Sequence, residues 1–340
     1  MKALMLKEKE LLEMVETEKP SCGDGQALIK VSAVSVCGSD IHAYKGENAL
    51  LKFPRIMGHE VCGIIEEVKA NTDGFEVGDK VILVPYLNCG KCIACRKGKT
   101  NCCSSLSVYG VHIDGAMAEY VAAPLTHIIK IAGDMDPRAA AVIEPFAIST
   151  HAVKRTGVKA GDIMLIAGAG PIGLGAAEIA KTFGAKVMLA DVDAKRRAFV
   201  KENFDYDYIL NPLDSDYREQ LEKATNGDYP DIILDSTGNS RSMENNVGYL
   251  SNGGRLVYVG ICKGDLRISD VEFHKRETEL LGSRGATKAD FQYVIDCINA
   301  KKIDTRKFIT HEAPFLQCKE AFDSWVVKGG EVFKAVINME

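Results

Sequence analysis

The sequence has no uninterrupted apolar run long enough to cross a bilayer, no excess of positive charge, and a single tryptophan in 340 residues. Its most apolar stretch, Ile163–Ala180, is broken by Gly168, Gly170, Pro171, Gly173 and Gly175 and carries Glu178, which excludes a transmembrane helix there. The opening MKALMLKEKE puts charges where a signal peptide needs an apolar centre, so a cytoplasmic location is expected. Lys and Arg number 42 against 47 Asp and Glu, a formal charge of −5, which argues against a nucleic acid as partner. Only Lys97–Thr100 is locally basic. Eleven cysteines are an odd number, and in a reducing compartment they do not make a disulfide framework.

What is present is ordinary globular material, 46% hydrophobic and 26% charged, long enough for two or three domains. Up to about residue 150, Gln26–Val36, Val61–Val68, Lys80–Pro85 and Glu119–Ala123 are rich in Val and Ile and read as strands between turn residues. This half is expected to be β-rich. Near residue 160 the texture changes. Ile163–Ala167 is a short continuous apolar run, as a strand covered on both faces requires. A helix over Pro171–Phe183, a strand over Val187–Asp191, helices over Ala194–Glu202 and Asp214–Ala224, and strands over Ile232–Asp235 and Arg255–Gly260 follow. That alternation implies α/β architecture with a parallel sheet. Beyond Leu280–Arg284 a helix over Ala289–Ala300 and a last strand over Lys334–Ile337 are expected. The chain has no repeats and no low-complexity tracts.

Gly168-Ala169-Gly170-Pro171-Ile172-Gly173 fits G-x-G-x-x-G. Alone the pattern is weak, but here it follows an expected strand and opens an expected helix. Gly168 permits the tight turn, Gly170 lets backbone approach a pyrophosphate, and Gly173 lets helix and strand pack closely. The helix N-terminus offers N–H groups to phosphate. Asp191 ends the next strand, where a carboxylate accepts from the adenosine ribose and repels a 2′-phosphate. NAD is therefore expected over NADP, although Arg196 and Arg197 stand close enough in sequence to weaken that preference.

Cys89-x2-Cys92-x2-Cys95-x7-Cys103 places four thiols in one loop. Four sulfurs around Zn²⁺ close its coordination and make a structural site. Cys102 is adjacent, and spacing alone leaves it as a substitute. Five such thiols without a metal would be prone to oxidation.

Cys37-Gly38-Ser39-Asp40-Ile41-His42, then Gly58-His59-Glu60, then Ile143-Glu144-Pro145-Phe146, are each unremarkable alone: a lone histidine is more often a satisfied core or surface residue, and a lone cysteine a small buried hydrophobe. In this order, with the four-cysteine loop, the glycine turn and Gly282-Ser283-Arg284, they resemble the zinc-containing medium-chain dehydrogenases. These are the alcohol, sorbitol and threonine dehydrogenases. The resemblance covers essentially the whole chain, and its detailed runs lie nearest the sugar-acid dehydrogenases.

The resemblance implies a GroES-like β-rich catalytic domain over 1–147, with a structural zinc loop at 89–103. A Rossmann coenzyme domain would follow over 148–285, the chain would return to the catalytic domain over 286–340, and the active site would lie in the cleft. It implies a catalytic zinc on Cys37, His59 and either Glu60 or Glu144, with Asp40 orienting His59. It selects Cys103 over Cys102 for the structural zinc. Ser39 would accept the alcohol proton and pass it, through the nicotinamide ribose, to His42. Arg284 is a candidate anchor for a substrate carboxylate, and His112 a candidate to approach the site. The pyrophosphate turn would be Gly168, Gly170, Pro171, Ile172 and Gly173, with Asp191 and Arg196 at the ribose. The expected reaction moves hydride from a secondary alcohol of a sugar acid, L-galactonate at C5 foremost or L-gulonate or L-idonate, to NAD. A polyol dehydrogenase acting on L-iditol, sorbitol or a sugar-alcohol phosphate comes next, then L-threonine 3-dehydrogenase. A homodimer or homotetramer formed through the Rossmann sheet edge is expected, with no nucleic acid and no membrane as partner. The presence of Cys37, Ser39, His42 and His59 together opposes a catalytically silent binding protein.

Overall fold

In the computed structural model, which describes residues 1–71 and 73–339, the strand Gln26–Val36 organises the first half of the chain. Nearly every side chain on it is buried, as its run of apolar residues requires. Along one edge it pairs antiparallel with Glu60–Val68. Along the other it pairs with Tyr120–Pro124 near its start and with Ala335–Asn338 near its end. Register shifts after Leu28 and Val31 bend it. Lys80–Leu83, Ile128–Lys130 and His311–Pro314 extend this sheet to seven strands.

The chain divides into two units, Met1–Glu144 with Thr287–Glu340, and Pro145–Ala286. The core of the first is built from Leu4, Leu6, Ile29, Val34, Met57, Phe322 and Trp325 among others. Its C-terminal stretch enters as a central strand, since Ala335 pairs with Val36 and Ile337 with Val34. That pairing delivers Lys334 to the inner end of Gln26–Val36.

The second unit holds six parallel strands in the order Ile209–Leu210, Lys186–Ala190, Ile163–Ala167, Ile232–Asp235, Arg255–Tyr258, Glu279–Gly282. This is the doubly wound arrangement, with the first strand central and the sequence reversing beside it. Ala167, Ala190, Asp235, Tyr258 and Gly282 therefore share the carboxyl edge, where such sheets bind ligands. Leu165, Met188, Ile233 and Leu256 fill the core under the helices.

The helix expected from Asp214 begins at Tyr217, because Asp214–Asp216 form a turn whose Asp214 carbonyl accepts from Tyr217. The hairpin Lys2–Glu8 with Leu11–Glu16 and the helices Gly38–Tyr44, Ile143–Arg155 and Cys318–Lys328 have no counterpart in the pattern reading. No helix among the described residues is long and apolar enough to cross a membrane.

Candidate active site

Cys37 caps the short helix Gly38–Tyr44, and its N–H donates to Asp40 Oδ2 at 2.9 Å. The other Asp40 oxygen lies 3.9 Å from His59 Nδ1. One buried carboxylate thus faces both residues. Glu60 opens the strand Glu60–Val68 and His59 immediately precedes it; the strand lies beside Gln26–Val36 and so beside Cys37. The ligand atoms of Cys37, His59 and Glu60 all lie within 4.8 Å of one another.

Glu60 is fully buried and held by Lys334, whose Nζ donates to Oε1 at 2.6 Å and to the Val36 carbonyl at 3.0 Å. Burial pulls the Lys334 ammonium down, but the charges of Glu60, Cys37 and Glu144 more than reverse this. Glu144 is outside the three-residue group and accepts from the Tyr86 hydroxyl. Burial, reinforced by the charge of Glu60, pushes the Glu144 carboxyl up to about 7. For His59, burial works downward, while Asp40, Cys37 and Glu144 bring the imidazole well above its ordinary value.

A thiol and three buried carboxyls therefore surround one imidazole and one ammonium. Nδ1 of His59, Oε2 of Glu60 and Oε2 of Glu144 are buried without a hydrogen-bond partner, although Glu60 Oε2 lies 2.5 Å from the Lys334 ammonium. Buried charge of one sign is stable only when paired or coordinated, and this donor set of sulfur, nitrogen and oxygen fits Zn²⁺. Cys37, His59 and Glu60 could hold the ion directly, with Glu144 beside them.

Ser39 and His42 are three residues apart on the helix Gly38–Tyr44, so they share a face. Ser39 is half-buried and His42 exposed.

Cys89, Cys92, Cys95 and Cys103 bring their sulfurs within 4.8 Å of one another. Cys102 is exposed and outside the group. Backbone N–H groups point at the sulfurs: Cys92 N to Cys89 at 3.4 Å, Cys95 N to Cys92 at 3.5 Å, and Cys89 N to Cys103 at 3.3 Å. The N–H of Cys95, then that of Ser104, hold the Cys92 thiol down at about 5. Four sulfurs this close, three of them met by backbone N–H groups, fit a second zinc.

In the second unit, Gly168 has φ +94° and a Cβ on Gly173 would sit 1.8 Å from the Gly168 carbonyl. Both glycines are therefore demanded by the turn that opens Pro171–Thr182. Asp191 is buried and accepts from Ala169 N at 2.7 Å and Asp193 N at 2.8 Å. Arg196 Nη1 lies 3.8 Å from Asp191 Oδ2 and 3.6 Å from where a Cβ on Gly170 would be. Arg197 donates to the Asp191 carbonyl at 2.7 Å. Backbone shape, a ribose-height carboxylate and an arginine thus converge on the carboxyl edge and fit a dinucleotide.

Arg284 is exposed just beyond the edge strand Glu279–Gly282, at the same carboxyl edge. His112 is taken up in its own loop, where Nδ1 accepts from Val108 N at 3.2 Å, and it joins neither cluster. Pattern reading missed Lys334 and Tyr86. The pairing of Ala335 with Val36 is what brings Lys334 in, and no local motif carries that signal.

Residues 23–133 match the alcohol dehydrogenase GroES-like domain and residues 171–300 the zinc-binding dehydrogenase family. The chain is 42% identical over 338 residues to L-galactonate-5-dehydrogenase of Escherichia coli K12, covering 99% of each protein. It is 32% identical over 327 residues to a sorbitol dehydrogenase of Halalkalibacterium halodurans, covering 95% of this chain and 94% of the relative. It superposes on an alcohol dehydrogenase of Escherichia coli CFT073, solved in complex with NADH, with TM-score 0.92, 29% identity and 99% of both chains covered.

The chain belongs to the zinc-containing medium-chain alcohol dehydrogenases. It is an oxidoreductase of CH–OH groups with a GroES-like and a Rossmann domain, and the family's cofactors are zinc and a nicotinamide dinucleotide.

Proposed function

We propose that the chain is an NAD-dependent zinc dehydrogenase that oxidises a secondary alcohol of a sugar acid, L-galactonate at C5 foremost. The observation that carries this reading is the full-length likeness to L-galactonate-5-dehydrogenase, in a chain that brings the ligand atoms of Cys37, His59 and Glu60 together as one group. In this reading Cys37, His59 and Glu60 hold the catalytic zinc, and Cys89, Cys92, Cys95 and Cys103 the structural one. Zinc supplies a Lewis acid that makes an alcohol hydroxyl acidic, and NAD accepts the hydride.

The chain's own residues do the rest. Asp40 orients the His59 ring, as the second partner of a metal-bound histidine does. Lys334 holds Glu60 in place through its ammonium, and Tyr86 fixes Glu144. Ser39 takes the hydroxyl proton and His42, exposed one helical turn later, releases it to water. Asp191 favours a free ribose over a 2′-phosphate. Arg284 pairs with the substrate carboxylate, for which its planar fork is suited. The exposed edge strand Glu279–Gly282 supports pairing with a second copy in a homo-oligomer, and reactive thiol clusters suit the cytoplasm.

A polyol substrate is the second reading, favoured by the likeness to sorbitol dehydrogenase. The test is NAD reduction by purified enzyme on L-galactonate, L-gulonate, L-idonate, L-iditol, sorbitol and L-threonine, before and after chelation, with NADP in parallel. L-galactonate is expected to turn over with the highest kcat/KM, with NAD and only with metal. Turnover of sorbitol, L-iditol or threonine with none on the hexonates overturns the sugar-acid reading.

A further inference from the structure

The helix that carries Ser39 and His42 ends in a motif that returns a carboxylate to the histidine. Lys45 is the C-cap and Gly46, at φ +69°, reverses the chain. Gly46 N donates to the Ala43 carbonyl at 2.9 Å and Glu47 N to the His42 carbonyl at 2.8 Å. This pair of bonds is a Schellman motif, which sets the residue after the glycine beside the third-last residue of the helix. Glu47 Oε2 accordingly lies 2.7 Å from His42 Nδ1. The hairpin Lys2–Glu16 braces the cap. Glu10 N donates to the Tyr44 carbonyl at 2.8 Å, and a Cβ on Gly46 would meet the Lys9 side chain at 3.1 Å.

We propose that Glu47 is a positioning residue for His42, holding the proton on Nδ1 and leaving Nε2 as the acceptor of the proton released from the alcohol. This rests on the relay from Ser39 to His42 proposed above. An ionised carboxylate can only accept a hydrogen bond, so the 2.7 Å contact requires the hydrogen to be on Nδ1. Nε2 then takes the incoming proton, the imidazolium charge is shared with Glu47, and Nε2 gives the proton to water. The ring returns to its Nδ1–H form with no net gain or loss. The exposure of both side chains, 65% for His42 and 45% for Glu47, suits a group that must hand protons to solvent. Among the described residues, the charged and titratable groups about this cap include Glu47 itself, Tyr44 and Lys45 on the helix end, Lys9 and Glu10 on the hairpin, and Asp323, which accepts from the Tyr44 hydroxyl.

The test is ¹⁵N NMR of histidine-labelled, full-length, zinc-loaded protein, with His42 assigned by the signal lost in His42→Asn. The wild-type ring is expected as the Nδ1–H tautomer. Glu47→Ala, which keeps the backbone cap, is expected to move it toward the Nε2–H form that a free side chain favours in water. Glu47→Gln retains an acceptor and restores the tautomer. In parallel, kcat falls about three- to tenfold in Glu47→Ala with KM unchanged, and recovers in part in Glu47→Gln. An unchanged tautomer in Glu47→Ala overturns the proposal, even where His42→Asn slows the reaction and the relay stands. Undiminished kcat in His42→Asn dismisses the relay and with it the catalytic part of the proposal, whatever the tautomer.

Discussion

Lys334 Nζ sits 2.6 Å from Glu60 Oε1, although 274 residues separate the two. Both are buried, with side chains 3% and 0% exposed. Removing one member of such a pair strands the other charge in a medium that cannot solvate it. In chelated protein Lys334→Met is expected to lower stability by about 3–5 kcal/mol, read from urea unfolding, and Lys334→Arg by much less. Adding zinc back should narrow the gap, because the stranded carboxylate then has a cation to face. Equal unfolding curves for wild type and Lys334→Met would remove the ion pair from any account of the site.

The sulfur cluster separates two adjacent cysteines. Cys103 is buried within it and Cys102 is exposed outside it. Cys103→Ser is expected to lose the structural zinc in elemental analysis and to lower Tm by on the order of 10 °C, since a structural metal is folding free energy. Cys102→Ser should keep both metal and Tm. The opposite pattern would assign the fourth ligand to Cys102.

What was legible in the sequence is what local spacing can encode. The glycine turn Gly168–Gly173 and the loop Cys89–Cys103 each carry a whole ligand set on one short segment. Ile163–Ala167 reads as a strand because burial on both faces leaves a continuous apolar run, and Gln26–Val36 because it is rich in Val and Ile. The first hairpin was not legible, because its exposed positions carry Lys and Glu that break the run. The helix Gly38–Tyr44 is too short for a 3.6-residue period to show, and what defines it is the reciprocal cap between Cys37 and Asp40. Motifs named Glu60 and Glu144 alike as ligands. Their difference lies in partners from distant segments, Lys334 for one and Tyr86 for the other, which only strand pairing brings near.

Gly173 and Gly170 belong to the same motif but stand in different surroundings. A Cβ on Gly173 would lie 1.8 Å from the Gly168 carbonyl, whereas on Gly170 the nearest atom is Arg196 Nη1 at 3.6 Å. Backbone cannot yield as a side chain can. Gly173→Ala is expected to cost about 2–4 kcal/mol in stability and to weaken NADH binding at least about tenfold, read by fluorescence titration. Gly170→Ala should leave stability nearly unchanged and weaken NADH alone, because its role is to admit the pyrophosphate rather than to pack. Equal stability losses in the two variants would contradict this division.

Asp136 offers a test of pH dependence away from both metal clusters. It caps the helix Pro137–Ala141 by accepting from Arg138 N at 3.0 Å, and it takes both forks of the Arg138 guanidinium at 3.0 Å. Arg138 and Arg306 also reach Glu312, at 3.2 and 2.6 Å, so this network ties the segment before the helix to the returning C-terminal part of the same unit. Burial pushes the Asp136 carboxyl up, but Arg138 outweighs it and brings the group below the usual carboxylate range. A folded-state value below the unfolded one means that the stabilisation is full above the unfolded value, near 3.9, and fades as pH falls through the folded one. With the Asp136 side chain 32% exposed, solvent screening holds the contribution to about 0.5–1 kcal/mol. Asn caps a helix as well as Asp does, so Asp136→Asn removes the charge and spares the cap. Urea midpoints of Asp136→Asn and wild type should therefore differ at pH 7, converge as pH falls below the usual carboxylate range and through the folded-state value, and draw together in 1 M salt. A difference that persisted in acid would trace the effect to the cap and not to the ion pair.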